Sequence, residues 1–185
     1  MLAYVFWHVP RADFSSKDYE AALVNFLADL ASVPPQGFAS CATYRISAVP
    51  WLDGRQGYED WYFVESSADL DPLNQAAVQP KRWDVHAAIA TKMEIGYGGL
   101  YQHLHGEEQP LSGERATWLT RPRGIRYEQP LQEIISGSTG FLSCWRRQMV
   151  LGPGDEFVIT GTSSLALNVP PNWRARTVER TVLAQ

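Results

Sequence analysis

Hydrophobic positions alternate along some segments of this chain and recur every three or four residues along others. Residues 2–9 are rich in β-branched and aromatic side chains and predict a strand with Tyr4, Phe6 and His8 on one face. Ser15 then suits a helix N-cap. The apolar positions that follow have helical spacing and predict one amphipathic helix: Tyr19, Leu23, Phe26, Leu27 and Leu30.

The hydrophobic pattern predicts further strands and helices up to about residue 105. Strands are predicted over 38–49, 59–65 and 100–105, and two helical segments lie between the last two, one starting at Asp71-Pro72 and one over 84–94. The glycines that follow are expected to end the second helical segment: Gly96, Gly98 and Gly99. The element order of this half is therefore β-α-β-β-α-β.

A polar, turn-rich segment over 109–115 is interpreted as a linker between residues 1–108 and residues 116–185. After it the order resumes, with predicted strands over 116–121, 140–150, 155–162 and 173–183 and a short helix over 130–136. Pro170-Pro171 leaves little room for a helix before the last strand. The second half is thus predicted to lack or shorten its second helix.

A five-residue phrase supports an internal duplication. Gly37-Phe38-Ala39-Ser40-Cys41 recurs as Gly140-Phe141-Leu142-Ser143-Cys144, and each copy follows a predicted helix and opens a predicted strand. The βαββαβ order is the ferredoxin-like plan. Two such repeats in one chain resemble the dimeric α+β barrel superfamily, and the resemblance implies an α+β fold in which two sheets face one another around a pocket.

That resemblance does not select a reaction. The superfamily includes small monooxygenases, isomerases, decarboxylases, haem enzymes and stress-response proteins, and function depends on the site. Haem in duplicated members is held by a histidine of the second half. All four histidines of this chain lie before position 106, so we expect no haem or other cofactor.

Composition narrows the classes further. The chain of 185 residues is 45% hydrophobic and 12% aromatic with a net charge of −4, which predicts a globular protein and disfavours nucleic acid as a partner. No run of 18 apolar residues is present and no secretory signal opens the chain, so we expect a cytoplasmic protein without a membrane partner. Cys41 and Cys144 are expected to be buried thiols with no bond between them.

Alternate positions on the predicted fourth strand carry the candidate chemistry. Tyr101, His103 and His105 would share one face, and the antiparallel first strand would bring His8 near them. The hypothesis assigns His8 or His103 as an acid–base residue and Tyr101 as a group that orients the substrate. A solvated strand end and a metal bound by His103 and His105 are the alternatives, and no metal ligand is assigned.

Further residues are predicted to bind the substrate: Tyr4, Phe6, His105, Arg147 and Arg176. Arg174, Arg176 and Arg180 fall on one face of the last predicted strand. Facing inward, they would bind a carboxylate or phosphate, and facing outward, they would form a solvated edge. The outward orientation is favoured because an enclosed arginine row needs several partners.

The sequence contains no motif that names a reaction. We expect a protein that binds a small aromatic or anionic molecule between two sheets, as a cofactor-independent monooxygenase-like or isomerase-like enzyme. The alternative is a non-catalytic stress-response or assembly module, with a solid core and a homodimer interface. A cavity lined by Tyr4, Phe6, His8 and Tyr101 would favour ligand binding, and a filled interior would favour the module.

Overall fold

The computed structural model describes residues 1–185 and contains eight strands and four α-helices. The strands are β1 Leu2–Pro10, β2 Phe38–Val49, β3 Arg55–Val64, β4 Met93–Gly106, β5 Arg115–Thr120, β6 Thr139–Arg147, β7 Phe157–Ala166 and β8 Arg174–Ala184. The helices are α1 Ser16–Ser32, α2 Leu70–Val78, α3 Trp83–Ala90 and α4 Glu128–Ser136. Short 3₁₀ turns cover Pro50–Leu52, Ser67–Asp69 and Pro80–Arg82.

All eight strands pair antiparallel in one closed barrel, in the order β1-β3-β2-β8-β5-β7-β6-β4 with β4 returning to β1. The strands of the first half lie in the order β4-β1-β3-β2, and those of the second half in the order β8-β5-β7-β6. The two halves meet where β4 pairs with β6 and where β2 pairs with β8. No helix lies between β7 and β8, whereas α2 and α3 occupy the corresponding connection of the first half.

Both faces of the barrel wall are buried in the first half. Ala3, Val5, Trp7 and Val9 of β1 belong to the cluster that fills the barrel interior. The intervening residues Tyr4 and Phe6 instead pack with the outer cluster beneath the helices, because successive side chains of a strand point to opposite faces. The alternation along β1 is as predicted. The face of β1 that carries Tyr4 is the one covered by the helices.

Helix α1 forms as its sequence pattern predicts. Ser15 is the N-cap, and its hydroxyl accepts a hydrogen bond from the backbone N–H of Asp18 at 3.2 Å. The five predicted stripe residues are the buried residues of the helix: Tyr19, Leu23, Phe26, Leu27 and Leu30. They pack on the outer face of the first-half sheet, and α4 covers the second-half sheet through Leu131 and Ile134.

The prediction that the glycines before residue 100 end a helix is wrong. β4 begins at Met93 and contains Gly96, Gly98 and Gly99. Aromatic side chains of β1 occupy the space where glycine side chains would be, and a Cβ atom at Gly98 would lie 2.5 Å from the Tyr4 hydroxyl. The glycines therefore let large rings of one strand lie over the backbone of its neighbour.

Candidate functional site

The space between the two sheets is filled. Four tryptophans are fully buried there: Trp7, Trp61, Trp118 and Trp145. Trp7 packs against Trp118 with ring centroids 5.4 Å apart, and Trp61 packs against Trp145 at 5.7 Å. The prediction of a ligand pocket between the sheets is therefore wrong, because bulky indole rings from facing strands interdigitate across that space.

The barrel interior also encloses an ion pair. Glu59 of β3 accepts hydrogen bonds from the indole N–H groups of Trp7 at 2.8 Å and Trp61 at 2.7 Å, and Arg180 of β8 donates to the same carboxylate at 3.0 Å. The Arg180 guanidinium also lies 4.2 Å from the ring centroid of Tyr44. The outward orientation favoured for this arginine is wrong, since Glu59 supplies the buried partner that it needs.

A cavity of about 490 Å³ lies on the other side of the barrel wall, between the first-half sheet and helices α1, α2 and α3. This volume is within the range of about 300–1,000 Å³ typical of small-molecule sites. Twelve of its 17 lining residues are hydrophobic. The polar ones are His8, Asp60, Asp71, Asn74 and His86, with the hydroxyls of Tyr4 and Tyr62 beside them.

His8 is held at the wall of this cavity by contacts on all sides. Its Nδ1 atom lies 2.7 Å from the hydroxyl of Tyr19, and its Nε2 atom lies 3.2 Å from Oδ2 of Asp60. Its ring is stacked between those of Phe6 and Tyr58, with centroids 5.3 Å and 5.5 Å away. The imidazole is only 1% exposed, so its orientation is fixed before any ligand arrives.

Asp60 is the second buried polar group of the site and is 2% exposed. Besides its contact with His8, it accepts hydrogen bonds from the hydroxyls of Thr43 and of Tyr62, the latter at 3.2 Å. The three protein groups that satisfy this carboxylate are thus an imidazole and two hydroxyls. No lysine or arginine borders the cavity.

The phenols around Asp60 remain protonated at neutral pH. Burial, reinforced by the negative charge of Asp60, raises the pKa of Tyr4, Tyr19 and Tyr62 above its ordinary value of 10. The hydroxyl of Tyr19 can therefore donate to a ring nitrogen of His8, and the other ring nitrogen, Nε2, faces Asp60. Tyr4 and Tyr62 both line the cavity, and the hydroxyl of Tyr62 is already hydrogen-bonded to Asp60.

The residues predicted on β4 lie elsewhere. The register of β4 against β6 shifts after His103, so His103 is opposite Trp145 of the interior and His105 is opposite Cys144 of the outer layer. A β-bulge thus separates two side chains that were expected to share a face. His8 is opposite Gly96, several residues away from this pair.

Two of these residues have other partners. Tyr101 is fully buried in the barrel interior, and its hydroxyl donates to the backbone carbonyl of Asp155 at 3.1 Å. His103 packs edge-on against Trp145 with centroids 5.0 Å apart, and burial lowers its pKa. His105 is exposed on the strand end. None of these three side chains borders the cavity.

The predicted arginines are also outside the cavity. Arg147 donates to the backbone carbonyls of Gly152, at 3.0 Å, and Gly154, in the turn between β6 and β7. Arg176 is exposed on β8, opposite Trp118 of β5. Of the predicted ligand-contacting residues, Tyr4 and Phe6 do border the cavity, together with His8.

Sequence reasoning missed Asp60 and His86. Glu59 and Asp60 are adjacent charged residues in a strand otherwise dense in aromatic side chains, and that was the available signal, because both faces of such a strand are buried. His86 was not among the candidate residues identified from the sequence. It lines the cavity from α3, with its ring 5.8 Å from that of Phe26, and burial lowers its pKa.

No group of three or more His, Cys, Asp or Glu side chains has an arrangement that could hold a metal ion. None of the helices combines the length and apolar character needed to cross a membrane.

Comparison with known proteins identifies the fold. Neither a protein-family model nor a curated protein matches the sequence. A proposed monooxygenase from Fusobacterium nucleatum superposes with a TM-score of 0.59 at 10% identity, over 98% of this chain and 92% of its own. The fold is that of the ferredoxin-like α+β barrels.

Two other α+β barrel structures agree with this assignment. A proposed monooxygenase from Lactobacillus acidophilus has a TM-score of 0.56 at 8% identity, covering 100% of this chain and 96% of its own. A proposed chlorite dismutase has a TM-score of 0.52 at 6% identity, covering 98% and 95%. These similarities extend over the whole α+β barrel of this chain and concern its architecture.

Proposed function

We propose that the chain binds a small aromatic molecule in the cavity between the first-half sheet and its helices, and that the Asp60–His8 pair moves a proton on that molecule. The carrying observation is a buried carboxylate and imidazole in hydrogen-bond contact at the wall of a largely apolar cavity. The ligand then lies on the outer face of the barrel wall and not in the barrel interior, and His8 keeps its predicted acid–base role.

The chemistry follows from the donors and acceptors on the wall. Asp60 accepts a proton from an acidic N–H, O–H or C–H group of the ligand, and His8 and the Thr43 and Tyr62 hydroxyls hold its carboxylate in place. Tyr4 also lines the cavity, and its phenol, which burial keeps protonated, can donate to a ligand oxygen that gains negative charge. Proton removal by Asp60 is a step both of an isomerisation and of an oxygenation that starts from a deprotonated substrate. Two of the structural neighbours are proposed monooxygenases.

The binding part is tested by filling the cavity. Ala77 lines it from α2, whereas the next residue, Val78, is exposed outside it. We expect Ala77→Phe to abolish binding of 2-tetralone, a neutral bicyclic aromatic ketone, as measured by calorimetry, and Val78→Phe to leave it unchanged. Equal binding by both variants would show that the ketone binds elsewhere.

The proton-transfer part is tested by isotope exchange. The wild-type protein in D₂O should accelerate exchange of the acidic C–H group of 2-tetralone, observed by NMR, and Asp60→Asn should lower the accelerated rate by about 100-fold or more. His8→Ala should lower it as well, with tetralone affinity retained. Binding without accelerated exchange would leave a binding protein and refute the catalytic role.

A second candidate is a non-catalytic module, and the filled barrel interior is the observation that favours it. Its predicted homodimer would need a partner surface, and the exposed residues Met149, Val150 and Leu151 of the β6–β7 turn offer an apolar one. Sedimentation of wild type and Val150→Glu distinguishes the cases, since a dimer through this turn should dissociate in the variant.

We also propose that the chain arose by duplication, with ferredoxin-like repeats over 1–108 and 116–185 joined by a linker over 109–115. The same strand order in the two halves supports this origin. Separate expression of residues 1–108 tests how independent the first repeat is. We expect an unstable fragment, because β2 and β4 would each lose the neighbour that closes the barrel.

A further inference from the structure

The charged side chains around the cavity all have the same sign. Asp60 lies at its inner wall and Asp71 at its rim, and no lysine or arginine borders it. The buried Arg82, in the 3₁₀ turn between α2 and α3, is paired with Asp29. A ligand entering this cavity therefore meets negative charge with no fixed cation beside it.

Asp60 is the stronger of the two contributions because it is screened least. Its side chain is 4% exposed, while Asp71 is exposed to solvent. Its three protein partners hydrogen-bond to it, and two of them, the Thr43 and Tyr62 hydroxyls, carry no charge. A buried carboxylate without a lysine or arginine is stabilised by a cation that reaches it and destabilised by a second anion.

Aromatic faces surround the approach to this carboxylate. The rings of Tyr4 and Phe6 lie side by side along β1, with centroids 6.3 Å apart and planes 19° from parallel, and Tyr62 is 6.1 Å from Tyr4. Ring faces carry negative electrostatic potential and attract ammonium groups. The same rings provide an apolar surface for an aromatic body.

We propose that the cavity selects aromatic molecules that carry a protonated amino group, with the ammonium against Asp60 and the ring against Tyr4 and Phe6, and that it rejects carboxylates. This inference rests on the proposed function and specifies its ligand class. The ammonium stays protonated in this arrangement and forms an ion pair with the Asp60 carboxylate.

Three probes with one skeleton test the charge preference. At pH 7, 2-aminotetralin is a cation, 2-tetralol is neutral and tetralin-2-carboxylate is an anion, so their bodies match and their charges differ. Calorimetry on the wild-type protein should give an affinity for the amine about tenfold above that of the alcohol, and for the carboxylate at least about tenfold below it.

The variant Asp60→Asn keeps the shape of the side chain and removes its charge. With folding checked by circular dichroism, it should bring the amine and the alcohol to within about twofold of each other, whereas Asp71→Asn at the exposed rim should change their ratio by less than about twofold. If Asp60→Asn does not fold, the three wild-type affinities still decide the matter.

The outcomes separate this inference from the proposed function. An alcohol that binds as tightly as the amine, or a carboxylate that binds as tightly as the alcohol, overturns the charge preference and leaves ligand binding intact. An amine-to-alcohol ratio unchanged in Asp60→Asn also overturns it. If none of the three probes nor 2-tetralone binds at millimolar concentration, the proposed function and this inference are both refuted.

Discussion

Glu59 and Asp60 are adjacent in β3, yet their carboxylates lie on opposite sides of the barrel wall. Glu59 faces the filled interior and pairs with Arg180 at 3.0 Å, while Asp60 faces the cavity and contacts His8 at 3.2 Å. Both are at most 2% exposed. One strand thus supplies a structural anion to one face and a candidate reactive anion to the other.

The interior pair gives the first prediction. Glu59→Gln should lower the free energy of unfolding by about 3–5 kcal/mol, because it leaves the Arg180 guanidinium buried without a counter-charge. Urea denaturation provides the measurement. The exposed pair of Arg55 and Glu94 is the control, and Arg55→Gln should cost less than about 1 kcal/mol. Equal costs for the two variants would contradict the role assigned to the interior pair.

Arg82 ties the cavity helices together. It is 2% exposed, pairs with Asp29, and donates to the backbone carbonyls of Val33 at 2.8 Å and Ala76 at 3.2 Å, so it joins the end of α1 to α2. Arg82→Ala should cost about 2–4 kcal/mol of unfolding free energy, since it removes several charge-assisted hydrogen bonds. The exposed neighbour substitution Lys81→Ala should stay within about 0.5 kcal/mol in the same urea titration.

Gly98 controls the position of Tyr4. A Cβ atom there would lie 2.5 Å from the Tyr4 hydroxyl, so Gly98→Ala should displace that ring into the cavity, weaken 2-tetralone binding about tenfold and cost about 1–3 kcal/mol of stability. Gly137→Ala serves as the matched change because its nearest neighbour, the Glu133 carbonyl, is 3.4 Å away. An affinity that responds equally to both alanines would mean that Tyr4 does not shape the site.

Alkaline pH should destabilise the fold. Burial raises the pKa of the Cys144 thiol from an ordinary 9 to about 12, and that of Tyr44 from 10 to about 12. The unfolded chain releases these protons at a lower pH than the folded chain does. The contribution of the two groups to the free energy of unfolding is therefore fully present below pH 9. It falls as pH rises toward 12, by up to about 1.4 kcal/mol per pH unit for each group.

Urea titrations at pH 8 and pH 10.5 measure this slope. Cys144→Ala should reduce the loss between the two values, because it removes one of the titrating groups. A slope that is the same in the variant and the wild type would mean that Cys144 ionises alike in both states. Native Cys144 should also react with iodoacetamide far more slowly than the unfolded thiol.

The alternation along β1 was readable from the sequence, but the environment of its two faces was not. Val5 and Trp7 are as apolar as Tyr4 and Phe6, because one face packs in the barrel and the other packs under helices. A pattern with apolar residues on both faces predicts a strand buried on both sides and says nothing about which side holds a cavity.

Long-range register was the other limit. Arg180 lies 121 positions along the chain from its partner Glu59. The bulge between His103 and His105 depends on the pairing of β4 with β6. Neither contact has a local signature. The resemblance to α+β barrels was predictable because it rests on element order, whereas the site residues depend on which strands become neighbours.

The connection between β7 and β8 contains no helix, while α2 and α3 form the roof of the first-half cavity. A chamber of this kind needs a sheet beneath and helices above, and only the first half has two helices between its third and fourth strands. A titration with any bound aromatic compound should therefore saturate at a stoichiometry of one molecule per chain. Evolutionary selection for ligand binding would then constrain residues of the first half, while residues of the second half would be constrained only by packing.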